Sequence, residues 1–472
     1  MAYFLDRTQK TAFGEQSTAE NRPVIQNDAT YNLIPANFRE FTSASGTTRA
    51  ADKLWQVTTG TTIFGYGAIQ SFRSINYKPG QGVLARFTAL FENNAASSWT
   101  GCGLISISDE LSFGYNGTDF GIWYRNGGLP EVRTITVTGA SGGSTDLTLT
   151  LNSVAYTIPL TSGTVEHNAY EIEAWLNANQ SVWVADQIDD TVIISAQSDG
   201  AKAGTYTYSH ATSTGTIAQD TVGVTKTSSH TAQASWNQST MSGLDPTKLN
   251  NYAVEYGNGN FKFYIEDPDT DTYVNVHIEK FLNASTSVEF ANPSLRVGFY
   301  AASIGSTTDL VVKCQRFSAF VQGMAESTRN PRAVKNTQTV STSFTNILTI
   351  RNRNTYNYFY NQVEVQPLNL TISSESNKNV EVELRANPTF SSDTDFTNVG
   401  TNLVTDIDTT ANTTSGGRLL GAFTLEPSGS VDVDLTKLNI AVPPSLSLSI
   451  TARVTGGASS PVTGTLTYYE DL

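Results

Sequence analysis

Thr134–Thr161 reads TITVTGASGGSTDLTLTLNSVAYTIPLT, and the change of style it marks decides how the chain is divided. From about Glu131 to His230 the text is rich in Thr and Ser and almost repetitive. Leu147, Leu149 and Leu151 alternate with Thr, the period of a half-buried strand. Only here does a helix announce itself, from Thr164 to about Ala178. Thr164 is placed as its N-cap and Glu166 opposes the helix dipole in the first turn. Ala169, Ile172, Trp175 and Leu176 form an apolar stripe that needs a sheet to cover it. Val192, Ile193 and Ile194, with the three leucines, supply one. The segment therefore predicts an α+β module at residues 131–231.

Working outward, both flanks carry aromatic strands punctuated by Gly. Before the module stand ARFTALFENN, GLISIS and LSFGYNGTDFGIWYRNGG. After it stand YAVEYGNGNFKFYIEDPDTDTYVNVHIEK and LRVGFYAAS. Val83, Ala85, Phe87 and Ala89 alternate on one face, and Asn116-Gly117 makes a hairpin turn. Residues 61–130 and 232–323 thus read as two halves of one β-sandwich.

Farther out, residues 1–60 show neither period and are expected as an extended arm, with Phe4, Phe13, Tyr31, Leu33, Ile34, Phe38 and Phe41 as docking anchors. Residues 324–336, MAESTRNPRAVKN, read as a linker. Residues 337–472 hold seven or eight short strands and predict a second β-sandwich of jelly-roll type.

At 472 residues the chain is too long for one core. Charged residues make up 15%, below the usual ~25%, and Thr, Ser, Asn and Gly take their place. The 29 basic and 43 acidic residues give a net charge of −14, dispersed along the chain. Nucleic acid is excluded as a partner, because phosphate recognition needs a basic face. No apolar run is long enough to span a membrane, and MAYFLDRTQKTAFGEQ does not read as a secretory signal. Cys102 and Cys314 fall in the two sandwich halves, where a disulfide and two buried free thiols are both open.

No phosphate loop, zinc spacing or nucleophile elbow occurs, so no cofactor is expected. His167, His210, His230 and His277 do not cluster in sequence. Asp267, Asp269 and Asp271 alternate as calcium ligands can. Counted as an EF-hand, however, the sixth and twelfth positions are Thr272 and Ile278, which fail. Another calcium geometry and a plain hairpin turn remain open. Asp109, Glu110, Asp119 and Glu131 are the default carboxylates for glycoside cleavage. Trp99, Trp123, Tyr124 and Trp236 sit among Asn and Gly, either as sugar-stacking rings or as core.

The split halves, with SFGYNGTDFGIWYRNGG before the module and LRVGFYAAS after it, resemble the concanavalin A/laminin-G class of lectin-like domains. The inserted text resembles small α+β modules of tail and surface proteins in double-stranded DNA viruses and phages. The opening, TAFGEQSTAENRPVIQNDATYNLIPANFREF, is similar to N-terminal arms of large-DNA-virus structural proteins. The resemblance implies a mainly β, non-enzymatic virion component of fibre, spike or minor-capsid type, made in a host cytoplasm. Its implied partners are copies of itself as a trimer, other capsid or tail proteins through the arm, and host surface glycan. A soluble lectin and a polysaccharide depolymerase are the alternatives.

Overall fold

The computed structural model describes residues 21–30, 32–34, 37–78, 80–180, 182–257, 259–284, 289–323, 331–356, 359–391, 394–400, 403–410, 412–438, 440–457 and 459–470. These fall into two compact units, one within Met1–Gly128 and Thr225–Ser327, the other within Leu129–Val224 and Thr328–Leu472. Strands β1 (Asn21–Asp28), β2 (Phe38–Ser43), β3 (Thr47–Ala51), β4 (Leu54–Thr58) and β5 (Tyr66–Ser71) come first. Then follow β6 (Gly82–Phe91), β7 (Ser98–Ile105), β8 (Glu110–Asn116) and β9 (Asp119–Asn126). The inserted segment holds β10 (Pro130–Gly139), β11 (Thr145–Leu151), β12 (Val154–Leu160) and helix α1 (Val165–Asn179). It continues with β13 (Trp183–Ile188), β14 (Thr191–Asp199), β15 (Thr207–Ser209) and β16 (Thr214–Thr221). The chain returns through β17 (Thr227–Ala232), β18 (Asn250–Gly257), β19 (Asn260–Asp267), β20 (Thr272–Lys280), β21 (Arg296–Ser303) and β22 (Val311–Gln322).

In the first unit two antiparallel sheets face each other. One has seven strands in the order β17-β9-β8-β7-β21-β5-β2; the other has eight, β20-β19-β18-β6-β22-β4-β3, with β1 also paired to β22. The alternating residues Val83, Ala85, Phe87 and Ala89 of β6 are buried in the core between the sheets. Phe113, Phe261, Phe263 and Phe299 from other strands join them there. Cys102 and Cys314 lie in the same core as free thiols.

The described residues between 21 and 60 are not the extended arm read from the sequence. Strands β1 to β4 all belong to the sandwich sheets. Phe38, Trp55 and Phe317 pack ring against ring, with centroids 4.7–5.6 Å apart. Burying a side chain of that size contributes about 1.5–3 kcal/mol, which holds this segment in its own sandwich. The anchors Phe4, Phe13 and Tyr31 lie outside the described residues.

The inserted segment forms two small sheets, β13-β14-β10-β16 and β12-β11-β15, instead of the single sheet its spacing suggests. The hairpin β11–β12 finds its third strand in β15 alone, so it separates from the β10 sheet. Helix α1 starts where the sequence places it, and Thr164 Oγ1 accepts the His167 N–H at 3.2 Å. Ala169, Ile172 and Leu176 are fully buried, and Trp175 packs half-buried against Tyr156.

The same unit contains a second sandwich. Its four-stranded sheet runs Arg332–Val340, Ser460–Glu470, Val365–Ser374, Ser430–Asp434. Its six-stranded sheet runs Thr397–Asn398, Thr405–Asp408, Thr345–Asn352, Ser447–Val454, Val380–Ala386, Arg418–Leu425. Residues 332–336, read as linker, are strand: Arg332–Val340 pairs along its whole length with Ser460–Glu470. The chain is thus mainly β: a β-sandwich, a small α+β insertion and a second β-sandwich. Among the described residues no helix is long and apolar enough to cross a membrane.

Candidate functional site

Register decides which side chains share the outer face of the seven-stranded sheet. Successive residues alternate between faces, and Cys102, Leu104, Phe113, Ile122 and Phe299 point into the core. Their neighbours point out. One cross-strand line is Ser228, Arg125, Glu110, Ile105 and Arg296; the next is His230, Trp123, Ser112, Gly103 and Gly298. Beyond these lie Gly121, Gly114, Gly101, Tyr300, Ala68 and Phe41. Asp119, Asn116, Trp99, Ala302 and Tyr66 close the face.

The glycines form a shallow bed on which rings lie. At Gly101 an added Cβ would come within 2.5 Å of Tyr300 Cε1 and 2.8 Å of Glu110 Oε1. Only a bare backbone lets Tyr300 lean across to Glu110, whose Oε1 accepts its hydroxyl at 3.0 Å. Ser112 Oγ donates to the same oxygen. Glu110 Oε2 pairs with Arg125 at 3.0 Å, and both side chains are almost fully buried. Arg125 Nε donates to Ser228 Oγ at 3.1 Å. Its guanidinium lies 4.2 Å from the Trp123 ring and 5.0 Å from the Trp99 ring. Extra hydrogen bonds support a buried ion pair: Ser112 and Tyr300 bind Glu110 Oε1, and Ser228 binds Arg125 Nε.

The polar heads around this pair are neutral. Burial pushes the Tyr300 phenol far above its ordinary value, and burial followed by the nearby Glu110 charge does the same for Tyr66. Burial pushes the His230 imidazole down, with its ring 4.6 Å from Trp123. Half-exposed Phe41, Tyr66, Trp99 and His230 form the accessible lip above Trp123, Arg125 and Glu110. Flat rings beside fixed donors and acceptors can stack on a sugar and fix its hydroxyls.

Two of the four aromatic candidates meet here: the Trp99 and Trp123 rings are 6.1 Å apart. The other two do not. Tyr124 points to the opposite face, between Phe261 and Phe281 at 5.4 and 5.2 Å, and its hydroxyl donates to Glu289 O. Trp236 is core, edge-on to Phe113 at 6.0 Å. Of the default carboxylates, Asp109 organises loops: its oxygens accept the N–H of Ala291 and Asn292, both at 2.9 Å. Glu131 belongs to the other unit, where it pairs with Arg133 at 2.7 Å. Asp267, Asp269 and Asp271 form the β19–β20 turn, in which Asp267 Oδ1 accepts the Asp269 N–H at 3.0 Å. The three do not converge on a cation, and among the described residues no group of acids, histidines or cysteines does.

Tyr66, Tyr300, Phe41, Arg125 and His230 went unpredicted. The available signal was the alternation Trp99, Gly101, Gly103, which sets glycine beside tryptophan on one face of β7.

No family model matches this chain, and no curated protein matches it. Similar solved structures include the Bauhinia forficata lectin in complex with GalNAc, at 9% identity, covering 65% of this chain and 100% of that one, TM-score 0.24. Another is peanut lectin with a nine-residue peptide, at 9% identity, covering 66% and 100%, TM-score 0.27. A cellulose-induced protein stands at 8% identity, covering 63% and 96%, TM-score 0.29. Likeness at this level says nothing of what this chain binds.

Proposed function

We propose that this chain is a glycan-binding structural protein that holds a saccharide against the outer face of the seven-stranded sheet. The observation that carries this reading is the Trp99–Trp123 pair resting on the buried Glu110–Arg125 pair. Trp99, Tyr66 and Phe41 offer ring faces, while Asn116 and His230 at the margins offer hydrogen bonds.

The same face favours binding over hydrolysis. Glycoside cleavage uses two carboxylates about 5–9.5 Å apart. Glu110 stands opposite Arg125; the other outward acid of these strands, Asp119, lies six residues along β9, ~20 Å at about 3.3 Å per residue. Display on a virion surface, with closed trimers and other capsid proteins as partners, rests on the resemblance of the inserted and opening segments. Light scattering behind a sizing column tests the trimer.

Affinity electrophoresis through gels cast with soluble polysaccharides tests the binding face. At least one neutral polysaccharide should retard the wild-type protein, and Trp99→Ala should abolish that retardation. Equal retardation of the variant would remove the face from consideration. Release of reducing ends, lost in Glu110→Gln, would replace the binding reading with an enzymatic one.

A further inference from the structure

The eight-stranded sheet carries a different kind of site on its own outer face. Register and the Asn251–Glu266 hydrogen bond place Asp28, Arg316, Thr88, Asn251, Glu266 and Tyr273 in one line across six strands. In the adjacent line Arg86 stands between Ser318 and Ala253. Small side chains in the middle, with longer ones at both ends, leave a cleft of about 470 Å³, within the usual range for small-ligand pockets.

The polar groups on its floor hold one another in place. Arg316 Nε donates to Thr88 Oγ1 at 3.1 Å, Thr88 donates to Asn251, and Asn251 donates to Glu266. Arg86 lies over the Tyr273 ring at 5.3 Å. Its Nε is buried with no hydrogen-bond acceptor, and leaving such a donor unmet costs about 1–3 kcal/mol. Among the described residues neither Arg86 nor Arg316 forms an ion pair. Yet acids outnumber bases 43 to 29 in this chain. Two unpaired guanidiniums in one cleft are groups waiting for an anion, and guanidinium matches carboxylate and sulfate bidentately.

We infer that this cleft binds an anionic saccharide. Arg86 and Arg316 take its carboxylate or sulfate, Asn251 and Glu266 take its hydroxyls, and Tyr273 lies beside its ring. The site shares no residue with the Trp99 face and does not rest on it.

The test is calorimetric titration of the full chain with tri-galacturonate, its methyl ester, and a heparin tetrasaccharide. Tri-galacturonate or the sulfated probe should bind, the first identifying carboxylate and the second sulfate as the anion. The methyl ester should bind at least about tenfold more weakly than the acid. Arg86→Met and Arg316→Met should each lose about tenfold or more, while Arg86→Lys should fall in between. Trp99→Ala should leave this affinity unchanged, which separates the two sites. Thermal melts confirm that each variant is folded. If both acidic probes fail to bind at millimolar concentration, or Arg86→Met binds as wild type, the inference is wrong.

Discussion

Replacing Arg351 by methionine strands buried carboxylates where the inserted segment meets the second sandwich. The Arg351 guanidinium, from strand Thr345–Asn352, reaches Glu173 of α1 and Gln187 O of β13, each at 2.7 Å. It also pairs with Asp406 at 3.2 Å and lies over Phe396 at 4.0 Å. Asp186 accepts the Asn354 N–H at 2.7 Å nearby. Arg353 still pairs with Asp406, so the stranded group in the variant is chiefly Glu173. Removing one partner from a buried pair costs about 3–5 kcal/mol, or roughly 6–20 °C in the melting temperature of a unit this size. The cost depends on pH. Burial pushes the Glu173 carboxyl up to about 7, with Arg351 pulling the other way. A carboxyl raised on folding contributes stability below its unfolded range, near 4.5, and loses it as pH rises through about 7. Removing Arg351 raises this carboxyl further: at about pH 5.5 it is neutral with or without its partner, whereas at about pH 8 it must lie buried without its cation or be held neutral at a cost, so the variant should suffer more at the higher pH. Calorimetric melts of the full chain at both pH values read this directly, and adding Glu173→Gln should restore part of the loss. A cost under about 1 kcal/mol at both pH values would refute the claim that this cluster joins the two parts.

Gly101→Ala should push Tyr300 off Glu110. Overpacking of this kind costs about 1–3 kcal/mol, seen as a lowered melting temperature together with lost glycan retardation. Burial and the neighbouring Cys314 push the Cys102 thiol well up, so it stays protonated at about pH 8; both cysteines should resist a thiol reagent until denaturant is added. Millimolar calcium should leave the melting curve of the first sandwich in place, since the three turn aspartates do not converge; a rise of several degrees would restore the calcium reading.

Local signals were legible and long-range ones were not. Thr164, Glu166 and the Ala169–Ile172–Leu176 stripe located α1 because capping and period act within a few residues. The alternation of Val83 to Ala89 located β6 for the same reason. Strands β1 to β4 carry no such signal: they are mostly polar, and two of them find the same partner far along the chain, since β22 pairs with both β1 and β4. The candidate face was half visible. Trp99 and Trp123 could be named from their type, but nothing local separates them from Trp236 or Tyr124. Strand parity set by pairing sends Trp99 and Trp123 outward and Tyr124 inward, and Trp236 enters the core from the short 3-10 turn after β17. Tyr300 and Glu110 lie 190 residues apart in the chain, so their meeting over Gly101 is a property of the sheet.

The most direct measurement is a calorimetric titration of wild-type, Trp99→Ala and Trp236→Phe protein with oligosaccharides of whichever neutral polysaccharide retards the wild type. Trp99→Ala should weaken binding by on the order of 30-fold, about 2 kcal/mol, as loss of an anchoring ring does, while Trp236→Phe, a core change, should leave the affinity of the folded protein unaltered. Equal affinity in wild type and Trp99→Ala would contradict the account.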